Sequence, residues 1–125
     1  MIAGVVTVNW DDVPVETVLP GITRAIVHGE RQSLVRYRYE PGSIFPEHSH
    51  PQEQITVVLS GRIAFEIGGE RRVFGPGDVA VIPGGILHGA EVVGSEVVDT
   101  LNALSPRRDD APTFGDPERP GTPAD

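Results

Sequence analysis

Gly42-Ser43-Ile44-Phe45-Pro46-Glu47-His48-Ser49-His50-Pro51-Gln52-Glu53-Gln54 is the stretch on which the reading of this chain turns. On an extended strand, side chains alternate between faces. His48, His50, Gln52 and Gln54 then share one parity and Glu53 takes the other, with Pro51 as the point where the strand can break. Two imidazoles at i and i+2 on one face suit a metal ion ~2.0–2.2 Å from each nitrogen. A second stretch answers the first: Gly77-Asp78-Val79-Ala80-Val81-Ile82-Pro83-Gly84-Gly85-Ile86-Leu87-His88. A short apolar strand closes in a Pro-Gly-Gly turn, and the turn swings His88 back toward the same interior. The remaining histidine, His28, stands before Gly29-Glu30 and reads as a surface or internally satisfied residue.

Working outward, the 15 glycines and 12 prolines are spread along the chain and punctuate short apolar runs. The spacing predicts strands over Gly21–His28, Ser33–Glu40, Gln54–Leu59, Ile63–Ile67, Arg71–Phe74, Val79–Ile82, His88–Val93 and Glu96–Leu101. Gly68-Gly69 joins two of them as a hairpin. Many short strands with regular turns make an all-β sandwich or closed barrel. Residues 1–20 read as an N-terminal arm that packs on the barrel or exchanges with a second copy, with Trp10 and Val13 against the outside. Residues 21–108 form the barrel. Residues 109–125 hold five acids, four prolines and one arginine, which predicts a mobile acidic tail.

Composition narrows the chemistry. A chain of 125 residues makes one domain. It has no cysteine, so disulfides, thiolate ligands and a Cys nucleophile are excluded. All ten basic residues are arginine, which removes Schiff-base chemistry on lysine. A net charge of −8 and a pI near 4.8 exclude nucleic acid and anionic membrane as partners. No apolar run approaches the ~20 residues of a span, and the N-terminus lacks the basic region of a signal peptide. The expected location is cytoplasmic.

The two histidine stretches resemble the two motifs of the cupin superfamily. Gly42, His48, His50, Gln54 and Gly61 fill the first, G-x5-H-x-H-x3,4-E-x6-G, with Gln54 in the place of the glutamate. Gly77, Pro83, Gly85 and His88 fill the second, G-x5-P-x-G-x2-H-x3-N, with Val92 in the place of the asparagine. The resemblance spans roughly residues 20 to 108 and implies a small jelly-roll barrel. It implies one divalent metal ion (Zn, Fe, Ni or Mn) on His48, His50, Gln54 and His88. Gln54 could otherwise be a wall amide with a water in its place. His48-Ser-His50-Pro-Gln52-Glu-Gln54 is similar to the H-x-H-P-H-E-Q strand of a subgroup that includes enzymes opening unsaturated uronates in pectin and alginate breakdown. Gln52 stands where that subgroup often has another histidine. Leu104-Ser-Pro-Arg-Arg108-Asp-Asp is similar to the same subgroup's F-S-P-x-R-E-D ending. There an aspartate and the arginine reach the metal cavity; the corresponding residues here are Asn102 and Arg108. An amide cannot shuttle a proton as a carboxylate does.

Tyr37 and Tyr39 share the apolar parity of their strand, opposite Arg36 and Arg38. They read as wall residues or as phenols that meet substrate. Arg108 and Tyr39 are the candidate catalytic groups; Tyr37, Tyr39, Arg108 and Asn102 are the candidate substrate contacts. Three neutral imidazoles and a neutral amide leave a site of formal charge +2, which favours Lewis-acid work on a small oxygenated metabolite. The expected reaction is an isomerisation, cyclisation, dehydration or sugar ring opening. An Fe(II) dioxygenase and a non-catalytic binding module are the rivals. The resemblance also implies a homodimer, through strand exchange or sheet packing.

Overall fold

The computed structural model describes residues 4–108. The segments 1–3 and 109–125, the expected acidic tail among them, lie outside the described residues. Ten strands follow a short 3₁₀ turn at Trp10–Asp12: β1 (Glu16–Leu19), β2 (Ile22–His28), β3 (Ser33–Tyr39), β4 (Ile44–His48), β5 (Glu53–Ser60), β6 (Ile63–Ile67), β7 (Glu70–Phe74), β8 (Val79–Ile82), β9 (His88–Val92) and β10 (Val98–Ser105). They form a six-stranded sheet, β1-β2-β3-β10-β5-β8, and a four-stranded sheet, β4-β9-β6-β7. Every pairing is antiparallel. The expected all-β jelly roll is the observed architecture.

Alternation places the core between the sheets. Val35, Tyr37 and Tyr39 of β3, Val58 of β5 and Val98 and Leu104 of β10 face Phe45, Ile63, Phe65, Ala90 and Val92 of the smaller sheet, and all are buried. Ile22, Ile63, Ile82 and Val98 are wholly inaccessible. Burying each such side chain stabilises the fold by roughly 1.5–3 kcal/mol.

Three elements differ from the sequence reading. The stretch from Ile44 to Gln54 is two strands in two sheets, because the chain crosses between layers over Ser49–Gln52. The last strand begins later and runs to Ser105, since β10 is paired on both sides, Leu104 with Ser33 and Ser105 with Glu53. Residues 4–20 include β1, which adds to the sheet edge beside β2 of the same chain and buries Val18. Val13, after the 3₁₀ turn, is also buried.

The outer face of the larger sheet is apolar. Cross-strand register sets Val27, Leu34, Ala103, Ile55 and Val81 in one row and Ala25, Arg36, Leu101, Val57 and Val79 in the next. Ile55, Val79 and Val81 stand exposed there. Arg36 is held by Asp99 through Nε at 3.1 Å and Nη2 at 2.6 Å.

Candidate metal centre

Fold and local sequence bring the three motif histidines together. His48 ends β4 and His88 begins β9, and the two are direct cross-strand partners. His50 lies in the crossing segment, where its carbonyl accepts the Gly85 N–H at 2.8 Å. That bond ties the first motif to the turn of the second. Ring centroids are 4.3 Å apart for His48–His88, 4.8 Å for His50–His88 and 5.9 Å for His48–His50. One candidate ligand atom from each histidine lies within 4.8 Å of the others. His50 and His88 are buried and His48 is half-buried.

Each ring is oriented by the backbone. Nδ1 of His48 meets Pro46 O at 2.8 Å, Nδ1 of His50 meets Gln52 O at 3.0 Å and Nδ1 of His88 meets Ile86 O at 2.8 Å. A carbonyl only accepts, so Nδ1 donates, and Nε2 is the ring atom whose lone pair can ligate in the neutral imidazole. Such second contacts fix tautomer and ring orientation in metal sites.

Burial keeps the rings neutral. It lowers the His48 and His50 pKa values to about 4, and the nearby charges of Arg108 and His88 push both the same way. The carbonyl contacts and, for His50, Gln54 oppose the shift without cancelling it. Near neutral pH these imidazoles are in the form that a metal needs.

Gln54, the second residue of β5, turns its Oε1 to 3.1 Å from His50 Nε2. With the His50 proton on Nδ1, both facing atoms carry lone pairs. Two donors ~2.1 Å from one ion and ~90° apart stand ~3.0 Å from each other. That spacing suits the His50–Gln54 pair to a shared cation, and the three imidazoles form a group that could hold a metal ion.

The site opens into a small cavity lined among others by Tyr37, Tyr39, Phe45, His48, Gln54, Phe65, His88, Leu104 and Arg108. No carboxylate is among the described lining residues. Burial, with Tyr37 adjacent, raises the Tyr39 phenol far above its usual value, so it can donate a proton bond but not act as a base. Arg108 is 5 % exposed, and its N–H donates to Ser33 Oγ at 3.1 Å. Ser33 Oγ lies 2.8 Å from His28 Nδ1, so the histidine read as satisfied is indeed engaged in a hydrogen bond.

Asn102, expected to contact substrate, is buried, with its amide bonded to Thr56, Gln54, Val35 and Thr100. Parity turns it inward, next to Gln54. Gln52 is also buried, and its Nε2 reaches toward Arg107 O at 3.5 Å. The sequence reading missed Ser33 and Thr56; the inward parity they share with Val35 and Gln54 was the available signal.

A two-sheet β-barrel with three inward, backbone-oriented imidazoles beside a basic cavity defines a small jelly-roll protein with a site able to hold a metal ion. The family model described as a cupin domain matches residues 35–103. The chain belongs to the cupin family. It is 33 % identical over 95 residues to a germin-like protein, subfamily 1 member 4, of Arabidopsis thaliana. That match takes in 62 % of this chain and 43 % of the plant protein, so the chain spans less than half of that relative. The structure of KdgF from Halomonas sp. is similar at 32 % identity and a TM-score of 0.73, over 80 % of this chain and 92 % of that one. An RmlC-like cupin from Shewanella frigidimarina shares the fold at 22 % identity and a TM-score of 0.73, over 80 % and 89 % of the two chains. No helix among the described residues is long and apolar enough to cross a membrane.

Proposed function

We propose that this cupin is a metal-dependent enzyme that acts without redox change on a small oxygenated metabolite bearing an anionic oxygen. The observation that carries this reading is the cluster of His48, His50 and His88, whose candidate ligand atoms lie within 4.8 Å of one another with the neutral Gln54 amide beside them. The buried Arg108 lines the same cavity with Tyr37 and Tyr39 and brings a positive charge to it. The resemblance to the uronate-opening subgroup, whose substrates are sugar acids, supports the same class.

When bound to His48, His50, His88 and Gln54, a divalent ion supplies Lewis-acid polarisation of a substrate oxygen. The chain's own groups do the rest. Arg108 binds and orients the anionic end, Phe45 and Phe65 hold water away, and Tyr39 donates a hydrogen bond to the polarised oxygen. The neutral Gln54 leaves the ligand set uncharged, which suits M(II) throughout the cycle.

The test loads the protein with Zn(II) under strict anaerobiosis, and with Fe(II) in air, and assays unsaturated uronates, keto-sugars and polyketide-like enols. Turnover is expected with Zn(II) and no oxygen. Arg108→Gln is expected to raise KM for the acid substrate by roughly 10–100-fold, the scale of a lost charge-assisted contact, and to leave KM for its neutral amide nearly unchanged. Activity confined to Fe(II) with stoichiometric oxygen uptake would overturn the non-redox reading.

We propose also that a second copy of the chain covers the outer face of the larger sheet. Two copies of a chain carrying −8 repel. On this face Asp99 is neutralised by Arg36, while Ile55, Val79 and Val81 are exposed at adjacent positions on β5 and β8. These residues continue into Leu101 and Ala103 of β10, so the apolar patch lies at the β10-β5-β8 end of the sheet. Sedimentation at micromolar concentration is expected to give a dimer. Val81→Asp should give a monomer, and Val73→Asp on the other sheet should remain a dimer. A monomeric wild type, or a dimeric Val81→Asp, would exclude this face.

A further inference from the structure

We infer that Asn102 is a positioning residue that locks the Gln54 amide with its oxygen, and not its nitrogen, toward the three histidines. The inference begins at a backbone group. Val35 O can only accept, so the Asn102 atom 3.1 Å from it is Nδ2. Nδ2 also donates to Thr100 Oγ1 at 3.0 Å, whose own proton goes to Tyr37 O at 3.3 Å. Asn102 Oδ1 must then point the other way. It accepts from Thr56 Oγ1 at 2.6 Å and from Gln54 at 3.2 Å. Because Oδ1 offers no proton, Gln54 presents Nε2 to it, and the same Nε2 donates to Thr56 Oγ1 at 2.9 Å. The remaining end of the amide, Oε1, is left facing His50 Nε2.

Each step follows from the one before, so the orientation of a side chain at the centre is set by a carbonyl two strands away. Asn102 is 2 % exposed and Thr56 is 1 % exposed, so water does not compete for these bonds. The chain also explains the residue type. An ionised aspartate at 102 would set a carboxylate oxygen against Val35 O and meet the same repulsion that a reversed amide would. Asparagine offers a donor on one side and an acceptor on the other.

The ligation part of this inference rests on the proposed metal reading; the orientation part does not. The experiment therefore uses two readouts. In the metal-free protein, the Gln54 side-chain amide protons are expected to be protected from exchange with solvent. Asn102→Leu and the near-isosteric Thr56→Val should each speed that exchange about tenfold or more, the scale of one lost hydrogen bond. In the Co(II)-loaded protein, both variants should shift the visible d–d absorption toward that of Gln54→Ala and weaken Co(II) binding by roughly 10–100-fold, as loss of a ligand's supporting contact does. Asn102→Leu combined with Gln54→Ala should bind no more weakly than Gln54→Ala alone. Thr56→Val carries the test if Asn102→Leu does not fold. Wild-type exchange rates in a folded variant would overturn the orientation. Changed exchange with an unchanged Co(II) spectrum, or additive losses in the double variant, would overturn the link to ligation. A wild type that takes up no Co(II) would defeat the metal reading, with the exchange result still deciding how Gln54 is held.

Discussion

His88→Ala is expected to reduce bound divalent metal from one ion per chain to a trace, measured by elemental analysis after gel filtration. The expectation follows from where His88 lies. It is 4 % exposed at the first position of β9, opposite His48, with Nδ1 engaged by Ile86 O at 2.8 Å. The ring has no freedom to act elsewhere, and no other side chain of β9 carries a ligand atom into the cavity. Removing it leaves two imidazoles and an amide, all neutral, for a dication. Losing a supporting contact behind a ligand weakens a metal site by roughly 10–100-fold; losing the ligand itself should exceed that. His48→Ala and His50→Ala should behave alike. His28→Gln is the control, since His28 faces Ser33, and it should retain full metal content. Full occupancy in folded His88→Ala would mean that the second motif contributes nothing to the centre.

The motif histidines converge by a route that strand parity does not describe. Parity along one continuous strand puts His48, His50 and Gln54 on one face. The structure achieves the same convergence by a crossing: β4 delivers His48 from one sheet, β5 delivers Gln54 from the other, and His50 sits between them. Parity is reset where a chain changes sheets, so local alternation alone could not have shown this. Spacing within the two motifs carried the prediction because it encodes the crossing and the Pro-Gly-Gly turn together. Asn102 shows the opposite limit. Its inward parity was readable, but parity gives a face and not the partners, and the bonds to Gln54, Thr56, Thr100 and Val35 emerge only when the strands are set side by side. Arg108 follows β10, beyond any periodic pattern, and only the Ser-Pro-x-Arg resemblance singled it out. The outer apolar rows were present as alternation in Ile55, Val57, Val79 and Val81. A run apolar on both parities reads equally as a strand buried on both faces, so the exposure of one face emerged only with the sheet order.

A second large effect is expected where no ligand is touched. Gly84→Ala should weaken metal binding at least tenfold, whereas Gly85→Ala should leave it close to wild type. The two glycines are adjacent in the turn before β9, but they are glycine for different reasons. Gly85 has φ +81° and open space where a Cβ would stand. Alanine there meets only the left-handed backbone penalty of about 1–2 kcal/mol, and the strain is local. At Gly84 the added Cβ would fall on the carbonyl oxygen of Pro51 and 3.1 Å from its carbon. The obstacle is backbone, so no rotamer change relieves it, and the turn and the crossing segment must separate. Forcing a methyl into a packed site costs typically 1–3 kcal/mol, so the two variants should lose comparable stability. They should part in metal affinity, because the Pro51 that must move adjoins His50, whose carbonyl is bonded to the Gly85 N–H at 2.8 Å. Separation there draws His50 away from His88, and displacements near 1 Å are enough to spoil a constellation of this kind. Thermal melts and competition titrations with Zn(II) on both variants decide the matter. Equal metal affinity in the two, at equal stability loss, would show that the close approach of Gly84 to Pro51 does not set the distance between the motifs.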